Sequence, residues 1–188
     1  MRFIDKKFII GFAIGFICFP ILFIGATYVF LKFEGFGPGL NPPQIVPVEQ
    51  TVSLDWDVQT LDGQTINLKK KFEGKAVFLN FWATWCPPCK KEMPSIEKLY
   101  AKFNGKVGFA CVSSESIKEL QKFKDSKGYT MPIYSIEGTP PKDIHLKGIP
   151  MTYIISDDRK LSFKHLGGAD WAHESMIVFL ENLLNTDK

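Results

Sequence analysis

Two cysteines, Cys86 and Cys89, stand in the run Trp85-Cys86-Pro87-Pro88-Cys89. The run follows KAVFLNFW (Lys75 to Trp82), whose nearly continuous apolar character suits a buried central strand. A helix is predicted from Pro87 to about Phe103. Cys86 then falls at the helix N-cap and Cys89 one turn later. Unpaired backbone N–H groups and the positive end of the helix dipole favour an anion there. The Cys86 thiol is therefore expected to have a lowered pKa and to be the attacking group. The three-residue step sets Cys89 beside it, so the pair can close a small disulfide. Pro87 and Pro88 suit the first helical positions but remove two donors that could solvate the thiolate. Moderate thiolate stabilisation, favouring a reductant over a strong oxidant, is the expected result. The rival readings are an inert structural disulfide and half of a zinc site. Zinc needs four ligands. His145, His165 and His173 have no metal-type spacing and Cys111 stands alone, so no metal is expected.

Glu92 follows Cys89 by three residues and shares its helical face. A carboxylate there raises a neighbouring thiol pKa, and can take the Cys89 proton as that thiol attacks. The alternative is a solvated first-turn glutamate that complements the dipole. Trp85 is expected to shield the disulfide and touch substrate, whereas Trp82 fits core packing equally well. In Gly148-Ile149-Pro150-Met151-Thr152 the X–Pro bond Ile149–Pro150 is of the kind that can take the cis form, and the alternative is a trans proline opening a strand. Cys111, inside VGFACV, reads as an inert buried thiol.

The elements that must position these residues alternate in type. Val52 to Leu68 reads as a hairpin turning at Asp62-Gly63, and Lys69-Lys70-Lys71 as a solvated turn. Val107 to Val112 reads as a second buried strand, Glu115 to Lys127 as an amphipathic helix, and Met131 to Tyr134 as a weak strand. A short helix is predicted from Pro141 to Leu146. Met151 to Ile155 and Leu161 to Leu166 form an antiparallel pair, and Trp171 to Leu184 a closing helix. The expected class is α/β: a mixed sheet covered by helices.

Ahead of this body, residues 8–31 are apolar and uncharged. As a helix they span about 36 Å, enough to cross a bilayer. The segment exceeds a signal-peptide core and lacks a good small-x-small cleavage site, so an uncleaved anchor is expected over a removed signal. Cys18 lies in mid-span. Arg2, Lys6 and Lys7 precede the span and only Lys32 follows closely, which puts residues 1–7 in the cytoplasm. Residues 32–50, rich in Gly and Pro, read as a linker, and residues 51–188 as the catalytic domain outside the membrane, where disulfides persist. The chain has 188 residues, 45% of them apolar, which accommodates one soluble core beside the span. A net charge of +3 with scattered basic residues indicates no nucleic-acid partner. Four cysteines are too few for a disulfide scaffold.

The segment FWATWCPPCKKEMP, with the later GIP, resembles the active-site region of the thioredoxin superfamily, and most closely its membrane-anchored TlpA/ResA branch. The resemblance covers about Val52 to Leu184. It implies a thioredoxin-like fold with an N-terminal β-hairpin and thiol–disulfide exchange, with Cys86 as nucleophile and Cys89 as resolving cysteine. It implies that Glu92 tunes the cysteines, that Trp85 and Pro87 flank the substrate, and that Ile149, before a cis Pro150, pairs with the substrate chain. The redox group is then the Cys86–Cys89 disulfide, with no other cofactor. The implied partners are disulfide-containing exported proteins, apocytochrome c during cytochrome c maturation among them. The implied electron donor is a membrane protein of the DsbD/CcdA type. Plain thioredoxins carry a buried Asp where this chain has Asn80, so Glu92 or water must take the proton. A peroxiredoxin-type peroxidase is the alternative enzyme, but Leu79 and Ala83 occupy the places of its Pro and Thr. A copper carrier on this fold uses CxxxC plus a histidine, a spacing one residue longer. An anchored interaction module is the remaining non-enzymatic class.

Overall fold

The computed structural model describes residues 40–44, 50–136 and 139–186. The expected membrane span at 8–31, Cys18 and most of the linker lie outside the described residues. No helix among the described residues is long and apolar enough to cross a membrane.

Seven strands form one mixed sheet: β1 (Asp57–Thr60), β2 (Thr65–Asn67), β3 (Val77–Phe81), β4 (Gly108–Ser113), β5 (Ile133–Ser135), β6 (Met151–Ile155) and β7 (Leu161–Leu166), in the order β2-β1-β5-β4-β3-β6-β7. β3 runs parallel to β4 and antiparallel to β6. Every residue of β3 and β4 is buried, which is why both read as continuous apolar runs. Among the described residues four helices accompany the strands: α1 (Leu68–Lys71), α2 (Pro87–Phe103) and α3 (Ile117–Lys127) between strands, and α4 (Glu174–Thr186) after the last.

Strand alternation divides the core between two faces. Phe78, Phe109, Ile154 and Phe163 pack with Met93, Ile96, Trp171, Met176 and Leu180 on one face. Val77, Leu79, Ala110, Val112 and Tyr153 pack with Val52, Leu54 and Trp56 on the other. Close packing makes small residues count. A Cβ on Gly108 would lie 2.4 Å from Cδ1 of the buried Phe72 ring. Gly108→Ala is expected to cost about 1–3 kcal/mol, read as a lower denaturant midpoint with an unchanged slope.

The hairpin, the central strands, α2 and the β6–β7 pair agree with expectation. Three segments differ. The Pro141–Leu146 helix is absent: a single turn closes from Ile144 N–H to Pro141 O at 2.9 Å. Instead Asp143 binds a distant segment, its carbonyl accepting from Gln50 Nε2 at 3.1 Å and its carboxylate from Ser53 N–H. The closing helix starts at Glu174 rather than Trp171. The Trp171 N–H is taken by Ser95 Oγ (3.0 Å), which pins it to α2. Lys69–Lys71 belong to a helical turn, α1, capped by Asn67, whose Oδ1 accepts from Lys70 N–H. Residues 40–44 lie against the domain: Pro43 is buried and Asn41 O accepts from Asp170 N–H at 3.0 Å.

Candidate active site

β3 ends at Phe81, and the chain turns through Trp82–Trp85 into α2. The turn is held from β4. Glu115, just beyond that strand, takes Thr84 N–H at 2.6 Å and the Thr84 hydroxyl, and also accepts from Ser113 Oγ at 3.1 Å. The sequence carried no sign of this clamp, since Glu115 lies 31 residues from Thr84 and reads as a helix start.

Cys86 is the N-cap of α2, with Pro87 and Pro88 in its first positions. Cys86 and Cys89 form a disulfide. The first N–H left by the two prolines, that of Cys89, points at Cys86 Sγ from 3.3 Å. The donor deficit inferred from the prolines is thus partly met by one remaining amide. Cys86 is 3% exposed and Cys89 fully buried. Trp85 is 69% exposed beside them, while Trp82 is buried against Phe123.

The Ile149–Pro150 peptide is cis, as expected. It brings Ile149 O to 3.9 Å from Cys86 Sγ. Pro150 O accepts from Gly167 N–H at 2.9 Å. Gly168 then passes so close to α2 that a Cβ there would meet Pro88 O at 3.1 Å. Cys86, Pro87, Ile149 and Pro150 are thus brought to one end of the sheet with Trp85.

Glu92 is not a solvated first-turn residue. It is fully buried on the inner face of the disulfide helix. Its Oε2 accepts from Trp171 Nε1 (2.9 Å) and Ala169 N–H (3.2 Å), and its Oε1 from Asn80 Nδ2 (2.9 Å). Burial pushes its pKa up to about 7, against the opposing pull of the Trp171, Asn80 and Ala169 donors. Asn80 also donates to Thr152 Oγ1 at 2.9 Å. Sheet register explains the arrangement: Asn80 pairs with Cys111 on β4 and with Thr152 on β6, and Thr152 with His165 on β7. Cys111 is a free, buried thiol, and burial drives its pKa far above the usual thiol range. Leu79 and Ala83 are buried apolar residues, so neither supplies a hydroxyl beside Cys86. Among the described residues no group of His, Cys, Asp and Glu is placed to hold a metal.

Residues 50–164 match the AhpC/TSA family. The chain is 35% identical over 119 residues to the thiol-disulfide oxidoreductase ResA of Halalkalibacterium halodurans, covering 62% of this chain and 67% of that protein. It is 36% identical over 152 residues to ResA of Bacillus thuringiensis, covering 78% and 84%. A crystal structure of a candidate thiol:disulfide interchange protein DsbE from Chlorobium tepidum shares the fold. Its TM-score is 0.63 at 22% identity, over 75% of this chain and 99% of that one. With a Cys86–Cys89 pair at the head of α2 and ResA among its relatives, the chain belongs to the AhpC/TSA family as a thioredoxin-like thiol-disulfide oxidoreductase.

Proposed function

We propose that this oxidoreductase is held in the cytoplasmic membrane by residues 8–31, with residues 1–7 in the cytoplasm and residues 51–188 in the periplasm or its equivalent. There it reduces disulfides in exported proteins, apocytochrome c being the substrate suggested by the TlpA/ResA resemblance. A membrane donor of the DsbD/CcdA type returns its electrons.

The observation that carries the exchange mechanism is the Cys86 sulfur at the start of α2, 3.9 Å from the carbonyl of Ile149. Reduced Cys86 attacks a substrate disulfide as the thiolate, and the leaving substrate sulfur takes a proton. Ile149 offers backbone to the substrate chain beside the mixed disulfide, and Pro150, Trp85 and Pro87 flank it. The Cys89 thiol then passes its proton to the Glu92 carboxylate and attacks Cys86 Sγ. The Cys86–Cys89 disulfide forms and the second substrate thiolate leaves. A carboxyl with a pKa near 7 suits proton exchange at neutral pH. The redox group is the cysteine pair itself.

Equilibration against glutathione buffers tests the direction. A potential below about −230 mV is expected, and a value near about −120 mV would mark an oxidant instead. Protection of Cys86 from an impermeant thiol reagent in intact, reduced cells or spheroplasts would contradict the proposed topology.

Trp85 supplies contact area rather than chemistry. Trp85→Ala is expected to lower kcat/KM for a protein disulfide by about 2- to 10-fold, the equivalent of about 0.5–1.5 kcal/mol, mostly through KM. Saturation kinetics with a folded and a small disulfide substrate will show it, since the small one should lose less.

A further inference from the structure

The two oxygens of Glu92 are held differently. Oε2 receives two donors, the Trp171 indole N–H and the Ala169 backbone N–H. Neither can turn round to accept. A proton on Oε2 would take one of its two acceptor places and displace one of these donors. Oε1 receives one donor, Asn80 Nδ2. That amide presents a carbonyl oxygen instead after a half-turn of its terminal group. In the orientation seen, Asn80 Oδ1 is buried and has no partner among the described residues. Its other neighbour, Thr152 Oγ1, serves equally as acceptor or donor.

We propose that Asn80 is a positioning residue of the exchange reaction: the proton enters Glu92 at Oε1, and the Asn80 amide turns to accept it while Oε2 keeps its two donors. With Glu92 ionised, Nδ2 donates to Oε1 and to Thr152. With Glu92 protonated, Oδ1 accepts from both the Glu92 O–H and the Thr152 hydroxyl, and Nδ2 takes the unpartnered place. Each state leaves one end of the amide without a protein partner among the described residues, so neither orientation is locked and the acid can load and unload within the core.

The inference rests on Glu92 as proton acceptor in the proposed mechanism. The step is Cys89–SH + Glu92–COO⁻ → Cys89–S⁻ + Glu92–COOH. The new thiolate then displaces the substrate thiolate from Cys86 Sγ, and no further oxidant or reductant enters. The titratable groups around Glu92 are Cys89 on its own helix, Cys111 on β4 and His165 on β7, whose ring centroid lies 5.7 Å from that of Trp171. Asp170 turns its carboxylate to Ala172 N–H at 3.1 Å. In the oxidised chain Cys89 does not titrate, and burial keeps Cys111 protonated. Burial lowers the His165 pKa, and its transition has to be told apart from that of Glu92. A His165→Phe variant removes that transition while keeping a ring against Trp171.

The test is an NMR titration of the oxidised full-length chain in a mild detergent, with Glu92 carboxyl 13C and side-chain 15N labels. The expected result is that the Asn80 side-chain amide signals move with the Glu92 midpoint, while the Trp171 indole N–H stays in its hydrogen-bonded position throughout. An Asn80 amide unmoved across that midpoint, or an indole N–H that loses its bond as Glu92 protonates, overturns the proposal. Asn80→Leu removes a stronger, charged hydrogen bond from the anion and a weaker, neutral one from the acid, and the difference is expected to raise the Glu92 midpoint by about one pH unit. The acid limb of the mixed-disulfide resolution rate should rise with it, which a merely structural role would not move. Should Glu92→Gln resolve the mixed disulfide at the wild-type rate while Asn80 still follows Glu92, the catalytic reading of Glu92 falls and the proton's place stands.

Discussion

Cys86→Ser is expected to abolish reduction of protein disulfides, a loss on the order of 10³-fold or more, while Cys89→Ser should still make the first attack and stop there. Burial sets the order of events. Cys86 is 3% exposed and lies against Ile149 O, whereas Cys89 has no exposed surface. In the proposed mechanism an incoming disulfide therefore meets Cys86 first. The helix start and the Cys89 N–H, 3.3 Å from Cys86 Sγ, favour the thiolate there. Serine at 86 keeps the shape but gives no ionised nucleophile at neutral pH. Serine at 89 leaves a covalent complex that no internal thiol can resolve. Insulin reduction measures the first loss. Mass analysis of Cys89→Ser after exposure to exported proteins measures the second, and identifies the substrate. Turnover by Cys86→Ser, or trapping through Cys89 in its place, would reverse the assigned roles.

Glu92 should make the protein less stable as pH rises. Its pKa in the folded chain is about 7, against an ordinary value of 4.5. Below 4.5 the carboxyl is protonated in both folded and unfolded chains, and its contribution to stability is fully present. Between 4.5 and about 7 the unfolded chain has lost the proton and the folded chain keeps it. The unfolded state binds fewer protons there, so unfolding free energy falls with pH. The total fall is on the order of 3 kcal/mol, a sizeable part of a domain's stability. It should be complete just above pH 7. Glu92→Gln removes the ionisation and should flatten the curve across that window. Urea unfolding at several pH values checks both chains. A wild-type curve that falls no more steeply than that of Glu92→Gln from pH 4.5 to 7 would mean that the three donors outweigh burial. The cost of holding this acid in the core is understandable if the acid is used, since the anion is needed each time Cys89 is to be deprotonated.

Much of this was legible in the chain because it is local. Alternation and apolar runs mark β3, β4, β6 and β7. The N-cap position of Cys86 follows from a strand, a short turn and two prolines, all within about ten residues of one another. The three-residue step to Cys89 fixes the disulfide's reach. The Ile149–Pro150 bond was nameable because only an X–Pro bond takes the cis form readily, although its place against Cys86 is a tertiary fact. The Pro141–Leu146 segment departs from its helical pattern for the opposite reason: Gln50 and Ser53, about 90 residues away, bind Asp143.

Residue types and spacing by themselves determined the redox pair, its likeness to one superfamily and the order of the main elements, because short-range geometry decides those. Only the tertiary structure decided the state of Glu92. A glutamate three residues after a cysteine is compatible with solvent or with a core. The difference comes from Asn80, Ala169 and Trp171, which lie 12, 77 and 79 residues away and meet at the carboxylate only when sheet register and the Gly167–Gly168 turn bring them there. Desolvation and hydrogen bonding act through space, so the presence of Glu92 is written in the sequence while its pKa is written in the packing.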